Sequence, residues 1–86
     1  MHEMSVIENL VRLLKNVCEK EKATGVVSVQ ITIHPFSCLD ESNLNFMFSC
    51  IAGDNPLFKG TKIRVLRNKN LQEPEYIVDN VELEIE

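Results

Sequence analysis

Near Gly25 the spacing of the apolar residues changes period within a few residues, and that change constrains the fold more than any other feature. From Ser5 to about Lys22, Ile7, Leu10, Val11, Leu14, Val17 and Cys18 recur at intervals of three and four, with Glu8, Arg12, Lys15 and Glu19 opposite them. That is one apolar stripe on an amphipathic helix. From Val26 to Ile33 the period is two: Val27, Val29, Ile31 and Ile33 alternate with Ser28, Gln30 and Thr32. That is a half-buried strand, stopped by Pro35. A helix stripe followed at once by a one-sided strand implies a helix laid on a sheet. With 86 residues there is room for one such core.

The remaining elements follow from local signals. Ser5-Val6-Ile7-Glu8 reads as a capping box that starts the first helix, and Gly25 as the left-handed residue that ends it. Asp40 is placed to cap a second helix over Glu41 to Ala52, with Leu44, Met47, Phe48 and Ile51 inward. "AGDNP" breaks that helix. A strand is expected over Lys62 to Arg67, with Ile63 and Val65 on one face. A last strand is expected from about Tyr76 to Ile85, where Val81, Leu83 and Ile85 alternate with Glu82, Glu84 and Glu86. The expected fold is α+β: a single small domain ordered α-β-α-β-β, with two helices on one face of a three-stranded mixed sheet. The last two strands, joined by the polar turn "NKNLQEPE", are expected to be antiparallel neighbours.

Charge and composition narrow the function. Net charge is −4, and from Glu73 to Glu86 there are six acidic residues and no basic ones. No basic patch with interleaved aromatics occurs, so nucleic acid is not an expected partner. No apolar run reaches the roughly 20 residues that span a bilayer, and no signal peptide is visible, so the expected location is the cytoplasm. The three cysteines, Cys18, Cys38 and Cys50, are odd in number, widely spaced and free of any C-x-x-C. They read as small hydrophobes rather than metal ligands. The glycine-rich phosphate loop, G-x-S-x-G and H-E-x-x-H are all absent, so no enzyme is expected.

The remaining chemistry lies at the start, in "MHEMS". An N-terminal amine, the backbone nitrogen of residue two and its imidazole can hold one ion in adjacent chelate rings. Such nitrogen-rich, tetragonal surroundings suit Ni(II) or Cu(II). Glu3 or another carboxylate could complete the set. By itself, a histidine at a terminus is more often a solvated residue.

The order of motifs resembles the nickel-binding domain of the HypA/HybF family, accessory proteins that insert nickel during [NiFe]-hydrogenase maturation and, in some bacteria, serve urease. "MHEMS" matches the family's N-terminal motif. The apolar helix ending near "EKEKATGVVSVQITI", the stretch "FSCLDESNLNFMF", the strand "GTKIRV" and the closing "VELEIE" follow in the family's order. The resemblance implies a nickel metallochaperone. His2 would be the principal ligand, Glu3 would assist it, the Met1 amine would contribute, and Asp40 would lie close by. It also implies a HypB-like GTPase, a hydrogenase large subunit or urease accessory proteins as partners. The last strand, at a sheet edge, could add a strand from a second copy, so a monomer or weak homodimer is expected.

Two departures stand beside this. The family carries a zinc module with two C-x-x-C pairs between the second and third strands. Here a short turn near 68–75 takes its place, so residues 1–86 are expected to form one domain without structural zinc. Residues 34–36 read His-Pro-Phe where the family usually has Gly-Glu-Leu, and His34 is taken as a strand-end residue. The alternative function is a degenerate relative: an interaction module that keeps the fold without delivering metal.

Overall fold

A computed structural model of the chain describes residues 3–71 and 76–86. Helix α1 spans Glu3–Glu21, strand β1 Gly25–Ile33 and helix α2 Glu41–Ala52. A 3₁₀ turn at Pro56–Phe58 follows, then strands β2 (Lys62–Arg67) and β3 (Tyr76–Glu84). The order is α-β-α-β-β, as expected. The core lies between the two helices and the sheet. It holds Val6, Ile7, Leu10 and Leu14 of α1, Val29, Ile31 and Ile33 of β1, Leu44 and Phe48 of α2, Phe58 and Ile63.

Three local expectations are corrected. Helix α1 already runs at Glu3, so Ser5 sits inside the first turn, exposed, and is not the N-cap. Glu3, a good helix former, sits where the helix dipole favours an acid. At the other end the left-handed residue is Lys22 (φ 54°), not Gly25. The Ala23 N–H donates to the Cys18 carbonyl at 2.9 Å, the long closing bond of a Schellman turn. Gly25 already belongs to β1. Ile51, expected inward, is exposed, and Ala52 is buried in its place.

The strand order is β2-β1-β3, with β1 parallel to β2 and antiparallel to β3. The two last strands are therefore not neighbours: β1 takes the centre, and β2 and β3 flank it. A polar turn between two short strands suggests a hairpin, but β1, which supplies the fully buried Val29, Ile31 and Ile33, lies between the two.

Two bulges keep the apolar residues inward. Val26 pairs with Leu83 but Ser28 with Glu82, so Val27 is extra on β1. Gln30 pairs with Asn80 but Ile31 with Val78, so Asp79 is extra on β3. Each bulge reverses the parity of the inward positions. On β1 these are Val26 and then Val29, Ile31 and Ile33, leaving Val27 exposed, contrary to the simple alternation. On β3 they are Tyr76 and Val78, then Val81 and Leu83. Without the bulges a one-residue slip would turn half of each strand's apolar set to solvent. Beside the β1 bulge, the Thr61 hydroxyl donates to the Val26 carbonyl at 2.6 Å.

The outer edge of β2 is closed by side chains of α2. Ile63 N–H donates to Asn45 Oδ1 at 2.8 Å, and Asn45 Nδ2 returns a bond to the Ile63 carbonyl at 2.9 Å. The Val65 N–H donates to Glu41 Oε1 at 2.8 Å. One amide side chain thus stands in for a residue of a neighbouring strand.

Candidate metal centre at the N-terminus

The four residues singled out as ligands fall into two groups. Met1 and His2 lie outside the described residues. Glu3 and Asp40 are placed, each at the start of a helix. Glu3 is the first residue of α1, and its Oε2 is buried without a hydrogen-bond partner among the described residues. A carboxylate oxygen in that condition forfeits hydration worth on the order of 1–3 kcal/mol, more when charged. A cation, or an N–H pointed at it, restores the loss. Among the described residues nothing meets that demand, and the residue before Glu3 in the sequence is a histidine.

Asp40 is the N-cap of α2: its Oδ2 accepts from the Asn43 N–H at 3.0 Å. That role accounts for one of its oxygens and leaves the side chain exposed. Helices α1 and α2 pack against each other, so the first turns of both belong to one layer of the molecule. Among the described residues no three of His, Cys, Asp and Glu gather into a metal-binding group.

The loop that delivers Asp40 is held by a residue that sequence reasoning missed. The Arg67 guanidinium, at the end of β2, donates from Nη1 to the carbonyls of Pro35 (2.9 Å), Ser37 (3.2 Å) and His34 (3.4 Å). Its Nη2 donates to the Leu39 carbonyl at 2.9 Å. Four carbonyls of one loop converge on one cation, a use suited to the planar fork of arginine. An isolated basic residue closing a strand gives no sign of this in the sequence. His34 directly follows the last residue of β1. Its Nδ1 accepts from the Phe36 N–H at 3.2 Å, and its ring lies 5.5 Å from that of Phe36.

The three cysteines are free and far apart in role. Cys18 is buried on α1, where burial pushes its thiol above the ordinary value of 9.0. Cys38 is exposed in the Arg67-held loop and Cys50 is exposed on α2. No helix among the described residues is long and apolar enough to cross a membrane.

Residues 1–74 match the family described as HypA, the hydrogenase/urease nickel incorporation metallochaperone. The chain belongs to the HypA family. The matched residues take in the N-terminal motif, both helices and the first two strands, and stop short of β3. The hydrogenase maturation factor HypA of Actinobacillus succinogenes is 26% identical over 54 residues, which cover 63% of this chain and 48% of that protein. The chain thus spans about half the length of the curated relative it matches. The solution structure of the Ni metallochaperone HypA from Helicobacter pylori superposes with a TM-score of 0.79 over 100% of both chains at 19% identity, which carries the fold. The HypA family is one of nickel metallochaperones and not of enzymes.

Proposed function

We propose that this chain binds one nickel ion as cargo at its N-terminus and hands it on during hydrogenase or urease maturation. His2 is the principal ligand, with the Met1 amine and the intervening backbone nitrogen beside it. The observation that supports the reading is the buried Oε2 of Glu3 at the adjoining position, which has no hydrogen-bond partner among the described residues. Glu3 either meets the ion or takes the second N–H of the His2 ring, fixing which nitrogen faces the metal. Asp40, already engaged as an N-cap, contributes its charge at the start of α2. The Arg67 bonds hold the loop that carries it.

The chemistry sets the pH response. Imidazole must be neutral and a peptide nitrogen must lose its proton to ligate, so affinity rises with pH and falls steeply below about 6.5, the ordinary histidine value. The recipient is the hydrogenase or urease maturation machinery, with a HypB-like GTPase, the hydrogenase large subunit or urease accessory proteins as the contacts and the cytoplasm as the setting. A second reading, an interaction module that no longer delivers metal, is favoured by the absence of paired C-x-x-C motifs from the 86 residues. The test is a nickel titration of wild type against His2→Ala and Glu3→Gln. His2→Ala should lose more than about 100-fold in affinity and Glu3→Gln about 10–100-fold, the usual range for a group behind a ligand. Unchanged affinity in His2→Ala would favour the second reading.

A further inference from the structure

One end of the molecule presents exposed apolar residues on a fixed backbone. Ile33, the last residue of β1, pairs with Arg67 of β2 and Tyr76 of β3, so β1 and β2 stop and β3 starts at the same end of the sheet. One row in from that end, Leu66 and Ile77 flank Thr32 and are 50% and 39% exposed. Beyond it, in the loop after β1, Phe36 is 88% exposed, more than any other large apolar residue described. The backbone that carries it has little freedom. The carbonyls of His34, Pro35, Ser37 and Leu39 all accept from Arg67. The Phe36 N–H donates to His34 Nδ1 at 3.2 Å, the Ser37 N–H to the His34 carbonyl at 3.0 Å and the Leu39 N–H to Ser37 Oγ at 3.1 Å. Leu39 itself is buried. A phenyl ring held in water on such a loop loses little entropy when a partner covers it, which is the condition for a pre-organised anchor.

The same end carries the start of α1. Asn9 Nδ2 lies 3.5 Å from the Tyr76 hydroxyl, and Glu3 is six residues, about 9 Å, further along the helix. Asp40 follows Phe36 by four residues, which span at most about 14 Å. A metal ion passes from one protein to another through ligands that reach it, so whatever takes the ion from this end must cover it. A standard interface takes about 800 Å² from each partner, a disc of roughly 16 Å radius, and Phe36 falls inside such a disc centred on Asp40. We propose that Phe36 is the aromatic anchor on which the protein that accepts the nickel docks, with Leu66 and Ile77 beside it in the footprint. The occupant is a folded acceptor with an empty thiolate or imidazole ligand set and, next to it, an apolar pocket the size of a phenyl ring. An aromatic side chain desolvated in such a pocket is the kind of contact that carries most of an interface's binding energy. The identity of the occupant rests on the nickel reading of the N-terminus, whereas the anchor rests on the loop.

The experiment measures binding of the full chain to a nickel-free hydrogenase large subunit and, separately, to a HypB-like GTPase, by biolayer interferometry up to about 100 µM. The variants are Phe36→Ala, Phe36→Leu and Ile51→Ser. Ile51 is also exposed but lies about 16 Å beyond Asp40 along α2, outside the central footprint. Circular dichroism and a nickel titration accompany each variant. Phe36→Ala should weaken docking at least about 30-fold, the usual loss for an aromatic anchor, with fold and nickel affinity unchanged. Phe36→Leu should recover part of the loss, and Ile51→Ser should match wild type. Docking that Phe36→Ala leaves within about twofold of wild type would overturn the proposal. So would a wild type that binds neither protein, or an equal loss in Ile51→Ser, the behaviour of unspecific apolar contact. The titration separates this proposal from the nickel reading. If wild type takes up no nickel and Phe36→Ala still loses docking, the metal reading falls and the anchor stands as that of an interaction module.

Discussion

The two edges of the sheet are treated differently. Along β2 the outward backbone groups of Ile63 and Val65 are bonded by Asn45 and Glu41 of α2. Along β3 no helix side chain plays that part among the described residues. Instead the strand carries a bulge at Asp79 and exposed Glu82 and Glu84. Both are ways to keep an edge from recruiting another strand. They differ in consequence. The β2 edge is part of the packed structure, so its polar groups contribute to stability. The β3 edge is defended only by charge and irregular geometry, so its residues are free to serve contacts between molecules.

This contrast can be broken most directly at Asn45. Asn45→Ala should cost about 2–4 kcal/mol in urea unfolding, because both groups of Ile63, itself buried, lose their partner. Amide exchange at Ile63 should accelerate together with it. Arg67→Ala should cost about 1–3 kcal/mol, since four loop carbonyls lose one charged donor, and the change should appear in the amides of residues 34–40. Arg67→Lys should recover only part of this, having no fork. Glu41→Gln keeps an acceptor for the Val65 N–H and should stay within about 1 kcal/mol of wild type, with Glu41→Ala the larger loss of the two. At the other edge, Asn80→Ala and Glu82→Ala should each change stability by no more than about 0.5 kcal/mol in dilute solution. A β3 substitution as costly as Asn45→Ala would erase the distinction between the edges.

Much of the fold was legible because it depends on local periodicity. The α1 stripe, the α2 boundaries and the Asp40 cap all follow from residues within one turn of each other. The failures have a common physical origin. The Val27 and Asp79 bulges are defined only against a partner strand, so alternation along one strand could not reveal them. The expected β2–β3 hairpin ignored that β1 is apolar enough to be central. Ser5 to Glu8 has the spacing of a capping box, but the helix already runs at Glu3, and a spacing does not fix where a helix begins. Asn45 and Arg67 act on backbone 18 and 28 to 33 residues away, with nothing local to announce it. At the candidate site, the motif pointed to Met1, His2, Glu3 and Asp40. Asp40 and Glu3 are seen at helix starts, and the burial of a Glu3 oxygen with no partner among the described residues is a fact of packing that no sequence pattern contains.

The central claim, that the N-terminus is a nickel clasp, is tested most directly by calorimetric titration of nickel into protein with an authentic Met1 amine, beside a copy with extra N-terminal residues. The account predicts one nickel per chain for the authentic protein, an affinity that rises from pH 6 to pH 8, and loss of binding in the extended copy. Equal binding by both proteins, or none by the authentic one, would contradict it.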